Sequence, residues 1–210
     1  AETMIVEQGW PKTDVYTAAT IGLVLAGFLA YPVGVAVDKG HGRVLMGGAS
    51  LLAALLLVLW SQINSLLVFY LLIAGIGALQ AAALYEPAFA VITRRVGAGK
   101  ARRGITAITL WGGFASTVFI PLVQLLLDNW GWRNALLVLA LINGLVCGGA
   151  YFGFIRPEKD VAHFHHPDNE NTSTTDKQEV KAAVRKPVFW LLMLALTAYA
   201  GAFTAFTFHM

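Results

Sequence analysis

Two short stretches carry the residues whose types and spacing could do chemistry. In YEPAFAVITRR, residues 85–95, Glu86 stands eight positions before Arg94, about 12 Å along a helix. In GVAVDKGHGR, residues 34–43, Asp38 and Lys39 are followed, after Gly40 and His41, by Gly42 and Arg43. Carboxylates beside cations form ion pairs, and a carboxylate in an apolar setting can take up and release protons. Both stretches adjoin long apolar runs. Glu86 lies well inside one, where an intramembrane charge costs about 2.5–3.5 kcal/mol and so asks for a function or a partner. Two readings of Glu86 stay open: a proton-coupling or gating carboxylate, or a fixed ion pair with Arg94, Arg95 or Arg43. Its helical face carries Gly75, Ala82, Ala83, Ala90 and Thr93, all small, so the acid is expected to face protein or a cavity. Pro87 frees a carbonyl upstream, and interrupted helices often line transporter sites.

Other polar or aromatic groups fall within apolar runs: Tyr31, Gln80, Tyr85, Trp111, Gln124 and Asn143. A buried amide needs a partner, which a solute, water or another helix can supply. Together these side chains suggest a polar central cavity, with Tyr31, Gln80, Tyr85, Trp111 and Gln124 as its candidate lining. For Arg133 the readings are a cation that attracts an anion and, favoured over it, a cap for loop carbonyls or a partner of Asp128. Small residues repeat every four positions in three rows, one of them Gly22, Ala26, Ala30 and Gly34 with Asp38 next. Such rows let helices approach closely in lipid. The second is Ala140, Gly144 and Gly148, and the third Thr109, Gly113 and Thr117. The first row makes Asp38 the cytoplasmic end of a helix seam, an acid that Lys39 and Arg43 can latch.

These residues must be positioned by membrane spans. The 210 residues are 57% hydrophobic and 13% charged, half the charge of a typical soluble domain. Six apolar runs are long enough to be spans: 15–37, 44–60, 66–93, 104–127, 135–155 and 188–210. The lone Cys147 lies in the fifth run and reads as a packing residue. Thirteen of the fifteen Lys and Arg fall in alternate loops: Lys39 and Arg43; Arg94, Arg95, Lys100, Arg102 and Arg103; and the six between 156 and 186. Only Lys12 and Arg133 lie on the other side, so the positive-inside rule makes the basic side cytoplasmic. Trp10, Trp60, Trp130 and Trp132 mark the opposite boundary, as a headgroup-level aromatic belt would. Trp190, just after Pro187, marks the cytoplasmic start of the sixth run. That orientation puts residues 1–14 outside without a signal stretch. A further helix is therefore expected before residue 1, and the chain is expected to be an internal piece of a larger protein.

GVAVDKGHGR resembles the signature loop of the major facilitator superfamily, G-x-x-x-D-[R/K]-x-G-x-[R/K]. Gly34, Asp38, Lys39 and Arg43 match, while His41 stands where the internal glycine is usual and Gly42 follows. The stretch 85–95 resembles the end of that family's fourth helix, and 101–133 its fifth helix and the Gly-Trp-Arg opening the sixth. The resemblance covers nearly the whole chain and is nearest to bacterial members of the monocarboxylate and oxalate/formate branch. It implies an all-α polytopic membrane protein, six spans of a twelve-helix fold. Residues 1–155 would form most of the N-terminal bundle, 156–186 the central cytoplasmic loop, and 187–210 the first helix of the C-terminal bundle.

The function implied is secondary active transport of a small solute by alternating access, with a small organic anion such as a monocarboxylate as the substrate class. Proton symport, a monomer and the bacterial inner membrane go with that reading. Efflux of drugs or metabolites by the same fold, or a receptor or scaffold without flux, are the alternatives. An enzyme is not expected, because no G-x-S-x-G elbow, paired nucleophile and base, or G-x-x-x-x-G-K-[ST] phosphate loop occurs. No cofactor, metal or nucleic acid is implied. His163, His165 and His166 lie in a polar stretch with no second ligand cluster to frame a metal, and the basic loops suit anionic lipid headgroups.

Overall fold

The computed structural model describes residues 2–155 together with 187, 190, 191 and 194. The chain falls into two compact units, Ala1–Phe164 and His165–Met210, and the architecture below is that of the first. The sixth run and the His-rich stretch lie outside the described residues, apart from the four positions named. Every described element is helical: α1 Glu2–Gln8, α2 Lys12–Ala36, α3 Gly42–Ser61, α4 Leu66–Ala83, α5 Tyr85–Val96, α6 Ala98–Leu141 and α7 Gly149–Phe154. A π-wound turn, Val37–His41, joins α2 to α3, and a second, Ile142–Gly148, joins α6 to α7.

Three apolar helical stretches are long enough to cross a membrane: Lys12–Ser61, Leu66–Val96 and Gly99–Phe154. The first and last have 50 and 56 residues. At 1.5 Å per residue these would be about 75 and 84 Å long, more than twice a hydrocarbon core of about 30 Å. Each reverses at a glycine with positive φ, Gly40 (88°) and Gly131 (73°), a conformation open to glycine at no steric cost. The described residues therefore make five crossings, which match the first five runs read from the sequence.

Close backbone approaches set the packing. Gly22 of α2 lies so near Ile73 and Gly77 of α4 that a Cβ on Gly22 would stand 2.9 Å from the Ile73 carbonyl oxygen, and one on Gly77 would collide with the Gly22 backbone. Trp10, just before α2, packs tilted against Phe69 at 5.3 Å near the start of α4, so with the Gly22 contact α2 and α4 run parallel. The last crossing runs antiparallel to α3. Gly144 faces Ala54, Gly148 faces Leu51, and Phe152 faces Gly47. Asn143 Nδ2 donates to the Ser50 carbonyl at 3.1 Å. Two of the three small-residue rows thus behave as seams, though the first makes its contact at Gly22 and leaves open space beside Gly34. The third does not: Thr109, Gly113 and Thr117 face outward among the described residues.

The buried core gathers at the tryptophan-rich end, where Met4, Ile5, Val15, Ala18, Ile63, Phe69, Leu72 and Trp132 pack together. The outer surface is apolar, with Phe28, Leu67 and Leu145 among the exposed side chains, as a lipid-facing surface must be. The four tryptophans expected to form a belt divide. Trp130 faces outward, whereas Trp132 is buried and Trp10 and Trp60 cover the core. Helix α1 is the cause, because Met4 and Ile5 give the indoles an apolar partner on the water side.

Candidate functional site

The signature loop is built by the end of α2. Gly40 takes the left-handed conformation, so the turn's glycine sits one position earlier than the resembled motif has it. His41 has φ −81°, which any residue adopts, and leads into α3. The displaced glycine therefore leaves the reversal intact. The latch differs from expectation. Among the described residues no ion pair joins the Asp38 carboxylate to Lys39 or Arg43. The cation that reaches the loop is Arg94, whose Nη1 donates to the backbone carbonyl of Asp38. Its other terminal nitrogen lies 3.5 Å from where a Gly40 Cβ would stand. The Arg43 Nε is buried with no hydrogen-bond partner among the described residues. Gly34 and Gly42 flank the turn. A Cβ on Gly42 would press to 2.7 Å against Val91 of α5, while the space beside Gly34 is open.

The acid read as intramembrane occupies a helix break. Helix α4 ends at Ala83, Leu84 is extended (φ −89°, ψ −154°), and α5 restarts at Tyr85 with Glu86 and Pro87 in its first turn. Proline causes the break, since its ring would clash with the carbonyl four residues back, that of Ala83. In a first turn the missing N–H costs nothing, and a carboxylate there suits the positive end of the helix dipole. Arg94 and Arg95 occupy the last turn, where cations suit the negative end. Glu86 is exposed and makes no hydrogen bond or ion pair among the described residues. The expected pair with Arg94, Arg95 or Arg43 is thus not formed, and helix geometry explains the one with Arg94: residues eight apart on one helix stand about 12 Å from each other.

The carbonyl freed by Pro87 belongs to Ala83, and the Tyr151 hydroxyl donates to it at 3.3 Å. Tyr85 packs its ring against Phe89 at 5.7 Å and its hydroxyl so closely on Gly112 that a Cβ there would collide with it. Below the break, a cavity of about 390 Å³ is lined by Met46, Val91, Arg95, Ile108, Tyr151 and Phe154.

The other candidates distribute as follows. Tyr31, Gln80 and Trp111 are exposed, the last 76% so and tilted against Phe114 at 6.3 Å. Helices α2 and α4 are parallel with Gly22 against Ile73 and Gly77, so Tyr31, nine residues on, lies near the depth of the break. Gln124 is placed elsewhere: its Nε2 donates to Asp128 Oδ1 at 2.7 Å, one turn further along α6. Arg133 caps loop carbonyls as expected, donating to the Ser61 and Ile63 carbonyls at 2.8 and 3.3 Å and to Asn64 Oδ1 at 2.9 Å. Its acid is Glu7 at 3.5 Å, while Asp128 is engaged by Gln124.

Two participants escaped the sequence reading. Tyr151 could have been sought from Pro87, which guarantees a carbonyl in need of a donor but says nothing of which donor arrives. Glu7, which accepts from Trp132 Nε1 at 2.6 Å, gave no signal in a short polar segment.

The chain matches the Major Facilitator Superfamily over residues 1–210 and belongs to that family. Among individual proteins it is similar to human "Monocarboxylate transporter 12", 30% identical over 165 residues, which are 78% of this chain and 29% of that protein. Human "Monocarboxylate transporter 11" is 37% identical over 122 residues, 54% of this chain and 24% of the relative. Rat "Monocarboxylate transporter 13" is 34% identical over 149 residues, 69% and 34% respectively. The chain thus spans about a third or less of the length of these relatives. No solved structure shows significant similarity to it.

Proposed function

We propose that the protein is a secondary transporter that moves a small organic anion, in the first instance a monocarboxylate, by alternating access and without catalysis. The observation that carries this reading is the set of relatives named as monocarboxylate transporters, found within a family match over the whole chain. The broken third crossing, α4 and α5, supports it, since it presents an unpaired carboxylate and a tyrosine at a helix end inside an apolar run. In this proposal Glu86 couples solute to protons, which makes the protein a symporter. Tyr31, Gln80, Tyr85 and Trp111 contribute to the solute path, with Gln124 toward its far end. Gly34, Asp38, Lys39, Gly42 and Arg43, tied to α5 through Arg94, form the element that opens and closes the basic side. Residues 1–155 are the greater part of one helical bundle, 156–186 a cytoplasmic connector and 187–210 the start of the second bundle. The protein acts as a monomer in a plasma membrane. A bacterial inner membrane rests on the sequence resemblance alone, because the matched relatives named above are human and rat proteins.

Uptake of a labelled short-chain monocarboxylate by proteoliposomes containing the complete polypeptide tests this reading. Saturable uptake stimulated by an inward proton gradient is expected. Glu86→Gln should abolish gradient-driven uptake and spare counterflow. Absence of flux at any proton gradient would show a receptor or scaffold instead, and driven uptake unchanged in Glu86→Gln would remove that residue from coupling.

A further inference from the structure

We propose that Tyr151 is a positioning residue that holds the break in the third crossing, between α4 and α5, and with it Tyr85 and Glu86, in the arrangement solute movement requires. The argument starts from Pro87. A proline has no N–H, so Ala83 loses the donor that an unbroken helix would supply four residues later. Inside a bilayer no water replaces it, and an unsatisfied backbone carbonyl there is costly. Tyr151, on α7, fills the gap from another crossing: its hydroxyl lies 3.3 Å from the Ala83 carbonyl oxygen. Leu84, the extended residue, is next in the chain, and Tyr85 and Glu86 are the first two residues of the restarted helix. The angle of the break therefore sets where both side chains sit. On the other side the Tyr85 hydroxyl is seated on Gly112, so the break is flanked by a contact to α6 on one side and the donor on α7 on the other. The cavity beneath, which Tyr151 also lines, gives α5 room to shift when the bond is lost.

This inference rests on the transport reading only for its functional consequence; the brace itself is testable without flux. Amide hydrogen exchange of the complete protein in lipid nanodiscs, read on peptides covering residues 80–90, should be about fivefold faster in Tyr151→Phe, the scale of one net hydrogen bond. Pro87→Ala restores a backbone donor to Ala83, so in that background Tyr151→Phe should change exchange by less than twofold. Pro87→Val, which also restores the N–H, serves if the alanine variant does not accumulate. In proteoliposomes the same pattern is expected in the maximal rate of gradient-driven uptake, with KM within about twofold of the parent. Unaltered exchange in Tyr151→Phe, or equal acceleration with and without Pro87, would overturn the brace. Exchange that follows the expected pattern in a protein without solute flux would support the brace and overturn the transport reading. Normal exchange coupling with an unaltered maximal rate in a transporting protein would overturn the positioning role.

Discussion

At the end of the bundle where Trp10, Trp60 and Trp132 meet, a short helix is clamped onto the crossings by several independent contacts. Met4 and Ile5 are buried, Trp60 Nε1 donates to Met4 Sδ at 3.4 Å, and Glu7 accepts from Trp132 while pairing with Arg133. At the basic end the contacts are of another kind. Arg94 reaches the Asp38 carbonyl and Tyr151 reaches the Ala83 carbonyl. Both ends reverse the chain with a positive-φ glycine, so the turns do not account for the contrast. Side-chain packing does. Buried aromatic area, together with capped carbonyls, fixes one end, while at the other Arg94 and Tyr151 tie the backbone through hydrogen bonds whose net worth is about 0.5–1.5 kcal/mol each. Elements that must move are drawn from the weakly held part of a structure.

The comparison breaks outright if the two ends do not face opposite aqueous compartments. With Cys147 replaced by serine, a cysteine at Ser65 should react with an impermeant maleimide applied outside intact cells, and one at Lys100 should be protected. Both parent residues are exposed in the fold, so protection reports the membrane and not burial. Reversed labelling would overturn the orientation.

A second expectation sharpens the difference in rigidity. Trp132→Ala removes a buried indole and the donor to Glu7, and should cost about 3–5 kcal/mol. A large fall in the detergent-solubilised protein's thermal midpoint would register it, and a shift within error would show the clamp to be dispensable. At the basic end the effects are smaller. Arg94→Ala removes the hydrogen bond to the Asp38 carbonyl and should cost about 1–2 kcal/mol. Asp38→Asn keeps the carbonyl that Arg94 uses, so its effect on the midpoint should stay below about 0.5 kcal/mol. Asp38→Asn should still slow transport severalfold in protein that reaches the membrane. Normal rates in that variant would remove the carboxylate from the gate.

Much of the architecture was legible before any coordinates. Apolar run length located the five described crossings, because an apolar bilayer core makes each span about 20 residues long regardless of its neighbours. Alternation of Lys and Arg between loops grouped them correctly: Arg94 does meet the loop that carries Lys39 and Arg43. Pro87 marked the break, since a missing N–H acts locally. Partner choice was not legible. Glu86 and Arg94 suggested a pair by charge, yet their spacing along one helix keeps them apart. Arg133 suggested a cap and is one, but its acid came from 126 positions earlier in the chain, where Glu7 sits.

Composition and periodicity thus determined on their own that this is an all-α chain threading a membrane repeatedly, with most of its cations in alternate loops, because those properties depend on each segment's exchange with solvent. Which donor satisfies Ala83, which acceptor receives Arg94, and which tryptophans are buried were decided only by the tertiary structure. Each depends on how crossings distant in sequence come to lie within about 3 Å of one another, a condition no local pattern encodes.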